Sequence, residues 1–157
     1  MTALLALVLV CMNSCDHDDP LGVWEKMKWT EPVPSGLVKT KSHVYQVPDT
    51  GGTYTIACRN YPAPWMADAE TPDTVYFTHG KAYVIDGSFD WTVMYDEQDV
   101  DWNRLKGYWF DARFDKADLK VSFEALPDTV ESRNLCLRVT AGDIFDAFTF
   151  EQIHPQY

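Results

Sequence analysis

The chain has 157 residues, of which 46% are hydrophobic, and a formal net charge of -11 at pH 7. This length fits one domain, and the apolar fraction is sufficient for a core. The acidic balance argues against binding to a nucleic-acid backbone, which requires clustered cations, and against electrostatic docking to anionic lipid.

The N-terminus has the pattern of a targeting segment. Residues 3–10 are an unbroken apolar run, shorter than the roughly 20 residues of a membrane-spanning helix but suited to a signal peptide. Ser14 and Cys15 follow, and a small residue before a Cys resembles a bacterial lipoprotein processing site. We therefore predict that 1–14 is a lipoprotein signal peptide and that Cys15 is acylated, although no Lys or Arg precedes the apolar run. The alternatives are an ordinary cleaved signal and a buried N-terminal strand.

Three acidic residues within 16–19 (DHDD) directly follow Cys15. They resemble the surface-export signals of Bacteroidetes lipoproteins, which implies a protein in the outer membrane that faces outward. Two acyl chains suffice for such an anchor, so the membrane would be contacted through lipid alone. We expect the Pro-rich residues 15–36 to form a tether that becomes the first edge of the domain, and 37–157 to form a single domain.

Short runs of alternating apolar and polar residues follow one another along the domain, separated by turn signals. No sustained helical period is present. Many short strands with frequent turns are typical of two packed sheets, so the predicted fold is an all-β sandwich. The predicted strands are 39–47, 53–59, 74–78, 81–85, 89–95, 107–114, 119–125 and the two arms of a hairpin at 134–152, with a polar loop at 96–107.

The closing hairpin has the clearest alternation. Leu135, Leu137 and Val139 share one face of its first arm, and Phe148 and Phe150 share one face of its second arm. Each arm therefore has one apolar face for a core. A lone hairpin is marginal in water, so other strands must cover this face.

The order of several motifs resembles one family. GGTYTIACRN (51–60) is followed by YWF (108–110), LKVSFEALPDTVESRNLCLRV (119–139) and FTFEQ (148–152). This order is similar to the BACON domain (Bacteroidetes-associated, carbohydrate-binding, often N-terminal), an immunoglobulin-like β-sandwich. Arg133 and Gln152 hold the places of that family's Arg near the penultimate strand and its Gln ending the last strand.

The resemblance covers 42–152 and fades over 70–106, which we interpret as an enlarged middle insertion. It implies an immunoglobulin-like, non-catalytic module that binds glycan or mucin, or a spacer. On this basis we expect a cell-surface lipoprotein that binds a glycan through exposed aromatic residues. The alternative is a protein–protein interaction or spacer role in an outer-membrane complex.

Aromatic residues are the best candidates for a ligand site, because sugars stack on their rings while polar neighbours orient the hydroxyls. Strand alternation predicts that Trp109, Asp111 and Arg113 share an exposed face. Trp102 lies in the acidic loop, and Trp65 lies beside a Pro-rich bend. The alternative for each ring is a structural role.

Metal and catalytic signals are weak, and we expect no cofactor. Asp99, Asp101 and Asn103 have the alternate spacing of Ca²⁺ ligands, but Arg104 stands where a helix-loop-helix calcium loop needs Gly. A solvated acidic loop is the alternative. The chain has no G-x-S-x-G motif and no Gly-rich phosphate loop, and its four His lie far apart, so a small hydrolase ranks last.

Cys58 and Cys136 are the Cys pair that remains after processing at Cys15. A secreted compartment permits a disulfide. Alternation places Cys58 on an inward face with Ile56, and Cys136 on an outward face with Arg138. Because such Cβ vectors point apart, we favour two unpaired thiols over a bridge.

Overall fold

The structure, a computed structural model, describes residues 24–85, 88–90 and 101–155. The predicted signal peptide, Cys15, Asp99 and most of the strand predicted at 89–95 lie outside these residues. The described residues form β-strands and no helix, so among them no helix could cross a membrane.

Twelve strands are present in the described part of the chain. In chain order they are β1 (Val38–Lys41), β2 (Val44–Val47), β3 (Gly52–Ala57), β4 (Trp65–Glu70), β5 (Thr74–Phe77), β6 (Gly80–Ile85), β7 (Ser88–Asp90), β8 (Arg104–Lys106), β9 (Phe110–Asp115), β10 (Asp118–Phe123), β11 (Ser132–Ala141) and β12 (Ile144–Ile153).

The strands form two sheets, which confirms the predicted all-β sandwich. The large sheet has the order β1-β2-β12-β11-β4-β5-β6-β7, and the small sheet has the order β3-β10-β9-β8. All pairings are antiparallel except that of β2 with β12, which is parallel. The predicted apolar faces meet between the sheets, because residues at alternate positions of a strand point to one side. Their fully buried members include Ile56, Leu119, Val121, Leu135, Leu137, Val139, Phe148 and Phe150.

The closing hairpin forms as predicted, from β11 and β12 in continuous register. Ala141 pairs with Ile144, so Gly142 and Asp143 make a two-residue turn. Gly142 has φ 73°, which suits the first central position of a type II′ turn.

Two predicted segments differ from the structure, and β4 (Trp65–Glu70) has no counterpart among the predicted strands. The predicted strand 39–47 is a hairpin of β1 and β2, because His43 adopts the left-handed conformation, with φ 57°, at the turn. The predicted loop 96–107 contains β8, in which Leu105 is buried between two exposed neighbours. A three-residue strand is too short to show a period in sequence.

The middle region 70–106 enlarges both sheets. β5, β6 and β7 extend the large sheet beyond β4, and β8 adds an edge to the small sheet. The described strands of this region therefore continue the sandwich at the side where β4 lies.

The segment before β1 runs along the free edge of β3. Trp29 and Val33 form bridges with Cys58 and Thr55. The Trp29 side chain packs against the core and donates Nε1–H to Asp146 Oδ2 at 2.8 Å. This segment therefore covers an edge that would otherwise expose backbone donors and acceptors.

Cys58 and Cys136 are free thiols, as favoured from sequence. Cys58 is buried with Ile56, whereas Cys136 is half-buried on the outer face of β11, between Glu70 and Thr149 in register. Burial raises the pKa of the Cys136 thiol.

Candidate functional site

Trp109 does not share an exposed face with Asp111 and Arg113, contrary to the prediction. The regular strand begins at Phe110, so alternation does not extend back to Trp109. Its half-buried ring lies 5.6 Å from that of Phe110 and 6.2 Å from that of Phe123. The guanidinium of Arg133 lies 5.0 Å above it. Trp109 is therefore a structural residue at the edge of the core.

Tyr108 is 72% exposed, although alternation from the buried Phe110 would turn it inward. The reversal follows from a tight turn, in which Gly107 N donates to Phe110 O at 3.0 Å. A Cβ at Gly107 would lie 2.2 Å from the Phe110 ring, so the turn requires glycine.

Trp65 and Trp102 are brought together by the fold, although they lie far apart in sequence. Met66 N donates to Trp102 O at 2.9 Å, which joins the 101–103 loop to the start of β4. Met66 points into the core, so its neighbour Trp65 is directed to the outer face of the large sheet. Trp102 is 57% exposed, and Trp65 is half-buried.

Phe145 extends this group across the large sheet. Thr140 on β11 is directly opposite Trp65 on β4 and directly opposite Phe145 on β12. Neighbouring strands are about 4.8 Å apart, so Trp65 and Phe145 lie about 10 Å from each other, with Thr140 between them. Phe145 is 68% exposed, whereas Thr140 is 4% exposed between them.

Two further rings lie on the other side of Trp102. The His79 ring lies 6.5 Å from that of Trp102 and 5.8 Å from that of Phe77, on which it stacks. Phe77 is directly opposite Asp68 in register, so it also lies on the outer face. We call this group the aromatic surface: Trp65, Phe77, His79, Trp102 and Phe145.

An ion-pair network adjoins the aromatic surface. Arg138 Nε binds Asp68 Oδ1 at 2.6 Å, and its Nη2 binds Glu70 Oε2 at 3.1 Å. Burial raises the pKa of Asp68, and the nearby Glu70 charge adds to this, against the lowering effect of Arg138. The pKa of Arg138 is raised, because two carboxylates outweigh its own burial. The network offers both donors and acceptors beside the rings.

Asp111 and Arg113 lie on the outer face of the small sheet, away from the aromatic surface. Asp111 accepts both guanidinium hydrogen bonds of Arg104, which lowers the pKa of Asp111. Arg113 is exposed. The fold thus separates the five predicted site residues into three places: Trp109, the Asp111–Arg113 face, and Trp65 with Trp102.

The calcium candidates do not form a ligand cluster in the described residues. Asp101 Oδ1 accepts from Asn103 N at 2.9 Å, so this carboxylate caps its own turn. Within the described ranges, no group of three His, Cys, Asp or Glu side chains could hold a metal ion.

Sequence reasoning missed Phe77, Phe145, Asp68 and Arg138 as site residues. Their proximity depends on cross-strand register, which alternation within one strand does not give. Phe145 had a local signal, since it is a large apolar residue on the otherwise polar face of β12.

A solved structure described as "NMR structure of the protein from Bacteroides thetaiotaomicron" is similar to this chain. The match covers 91% of this chain and 99% of that chain, with 26% sequence identity and a TM-score of 0.59. No family model matches the chain, and no curated protein matches it. The similarity supports the architecture along nearly the whole chain and leaves function to be argued from the site.

Proposed function

We propose that the protein is a non-catalytic glycan-binding module that holds its ligand on the aromatic surface. The observation that carries this proposal is the convergence of Trp65, Trp102 and Phe145 beside the Arg138 ion-pair network. Large apolar side chains exposed as a group mark interaction sites, whereas single exposed ones are ordinary. Here Trp102 and Phe145 are exposed, Trp65, Phe77 and His79 are half-buried, and these five rings come from four parts of the chain.

The chemistry of the surface suits a sugar. The C–H face of a pyranose stacks on an aromatic ring, and the rings at Trp65 and Phe145 are spaced to contact separate parts of an extended ligand. Arg138 donates and Glu70 accepts hydrogen bonds next to them, and both side chains are about 40% exposed. A few polar groups among apolar ones are what orients a small ligand.

We further propose that the sandwich is immunoglobulin-like, in keeping with the resemblance to BACON domains. The order β2-β12-β11-β4-β5 supports this. In one sheet of an immunoglobulin domain the last two strands, F and G, lie beside strand C, and variable-type domains add strand C′ to that sheet. The small sheet supports it as well, because its order β3-β10-β9 corresponds to strands B, E and D of the other immunoglobulin sheet. An outer-membrane, surface-exposed location through acylated Cys15 is part of the proposal and is supported by the sequence of residues 3–19.

A glycan-array screen of the wild type and two variants tests the function. Trp65→Ala and Trp102→Ala should each weaken binding about fivefold or more, because base stacking on an aromatic ring, a comparable contact, is worth about 1–3 kcal/mol. Tyr108→Ala is the matched control, since it removes a ring of higher exposure outside the aromatic surface. It should leave binding unchanged.

Two results would contradict the proposal: no glycan bound by the wild type, or equal weakening by Tyr108→Ala. The first result would favour the alternative, a protein interaction. One observation supports that alternative: β1 is an edge strand whose four residues are all exposed. Lys39 and Lys41 on this strand are, however, the residues that typically protect an edge from pairing.

A further inference from the structure

Four cations are grouped on the outer face of the small sheet. Arg104 on β8, Arg113 on β9 and Lys120 on β10 are direct cross-strand neighbours. Lys106 lies two residues further along β8, directly opposite Asp111. Because neighbouring strands are about 4.8 Å apart, these side chains emerge from one small area. We call this group the cationic row: Arg104, Lys106, Arg113 and Lys120.

This arrangement opposes the stability of the sheet. Like charges directly opposite one another on adjacent strands are destabilising. Among the described residues, only Arg104 of the row has an ion-pair partner, Asp111. Lys106 and Arg113 are also close enough to Asp111 to lower its pKa. Asp111 is the one carboxylate directly opposite a member of the row, and Asp101 also attracts Arg104, in a chain whose net charge is -11.

The neighbours of the cationic row differ on its two sides. Ser122 is directly opposite Asp111, and its Oγ lies 2.9 Å from Thr53 Oγ1. On the other side, Asp115 and Asp118 are directly opposite each other. The patch thus has hydroxyls along one side and carboxylates along the other.

We propose that the cationic row binds the sulfate group of a short sulfated saccharide. The three terminal oxygens of a sulfate ester can accept charge-assisted hydrogen bonds from cations on adjacent strands. The hydroxyls of Ser122 and Thr53 can bind the hydroxyl groups of the sugar. This site lies on the sheet opposite the aromatic surface, and it stands independently of the function proposed there.

The ligand is short because the surroundings are acidic. Asp115, Asp118 and the negative net charge repel an anion that extends beyond the patch, whereas screening over about 8 Å leaves attraction within it. A nucleic acid or a polysulfated chain would place most of its charges outside the row.

An NMR titration of the purified protein with N-acetylglucosamine 6-sulfate tests this site. We expect saturable amide shifts in β8, β9 and β10, and none with N-acetylglucosamine. The double variant Arg113→Gln, Lys120→Gln should weaken binding about tenfold, because two charge-assisted hydrogen bonds are lost. Its melting temperature should not fall, since like charges are removed.

The matched control is Lys39→Gln, Lys41→Gln, which removes two cations from β1 of the large sheet. It should change the affinity less than twofold. Equal weakening by the control would show a general charge effect and overturn the proposal. Equal shifts with the unsulfated sugar, equal affinity for inorganic sulfate, or tighter binding of a polysulfated chain would each overturn it as well. Loss of glycan binding in Trp65→Ala alone would concern the aromatic surface and not this site.

Discussion

The two ends of the sandwich place their tryptophan side chains in different surroundings. At one end, which we call the closed end, Trp109 is half-buried between Phe123 and Arg133. At the other end, Trp102 and Phe145 are more than half exposed. Both ends have the same residue types, so residue type does not separate a structural ring from an exposed one. The difference at Trp109 is that the guanidinium of Arg133, on β11, lies over the ring.

Gln152 connects three segments of the chain at the closed end. It is directly opposite Arg133 in the hairpin and is fully buried. Its Nε2 donates to Pro48 O at 2.9 Å, Glu124 O at 3.0 Å and Asp49 O at 3.3 Å. One amide thus connects the last strand, the β2–β3 turn and the loop after β10. At the other end, Asp146 joins β12 to the segment before β1 and to the β1–β2 turn, through Trp29 Nε1 at 2.8 Å and His43 Nδ1 at 3.0 Å.

The largest expected effect is that of Gln152→Leu. The variant keeps the buried volume but removes the donor shared by three carbonyls. Pro48 O and Asp49 O keep a second partner each, Gly51 N and Leu126 N. We therefore expect a loss of about 2–3 kcal/mol in the free energy of unfolding, mainly from the uncompensated Glu124 O. Urea unfolding measures it.

The control for this prediction is Gln46→Leu. Gln46 is a half-buried glutamine on β2 whose side chain makes no hydrogen bond to the described residues. It should change stability by less than about 0.5 kcal/mol. Equal losses in both variants would show that the closed end is not held by Gln152.

Trp109→Ala and Trp102→Ala compare the two ends directly. Trp109→Ala should lower the free energy of unfolding by about 2 kcal/mol, because a half-buried ring with three packed neighbours is removed. Trp102→Ala should lower it by less than about 0.5 kcal/mol, since most of that ring is in water. Thermal unfolding measures both. A larger loss for Trp102→Ala would mean that the aromatic surface is part of the core, which would remove the basis for a binding role.

The sequence predicted what local alternation controls. The inward faces of β3, β11 and β12 were predicted correctly, because apolar residues recur at alternate positions of these strands. The turn before β3 was also evident from its Pro and Gly residues. Gly51 there has φ 73°, and a Cβ would lie 2.3 Å from Phe123 O.

Alternation failed where the backbone leaves the strand conformation. Trp109 and Tyr108 exchange their expected sides because a turn precedes β9. Alternation within one strand also does not predict cross-strand partners, because pairing depends on the order and register of the whole sheet. The meeting of Trp65, Phe145 and Trp102, and the grouping of Arg104 with Arg113, could be known only once the register was fixed.

The smallest expected effect is a pH dependence of the free energy of unfolding. Its sign should differ between a carboxylate on the outer face of the large sheet and one on the outer face of the small sheet. Asp68, beside the aromatic surface, has a raised pKa because burial outweighs Arg138. Its contribution to stability is present below its ordinary pKa of 3.8 and is lost as the pH rises through the raised value. Asp111, in the cationic face, has a pKa lowered by Arg104. Its contribution is present above 3.8 and is lost as the pH falls through the lowered value.

Asp68→Asn should therefore gain stability relative to the wild type as the pH rises from about 3 to about 6, whereas Asp111→Asn should lose it. Both changes should be a few tenths of a kcal/mol, because these side chains are partly exposed and screened by solvent. Urea unfolding at a series of pH values measures both variants in parallel. Changes of the same sign would mean that Arg138 dominates Asp68 as Arg104 dominates Asp111. The Arg138 network would then be an ordinary ion pair, and no carboxylate with a raised pKa would lie beside the aromatic surface.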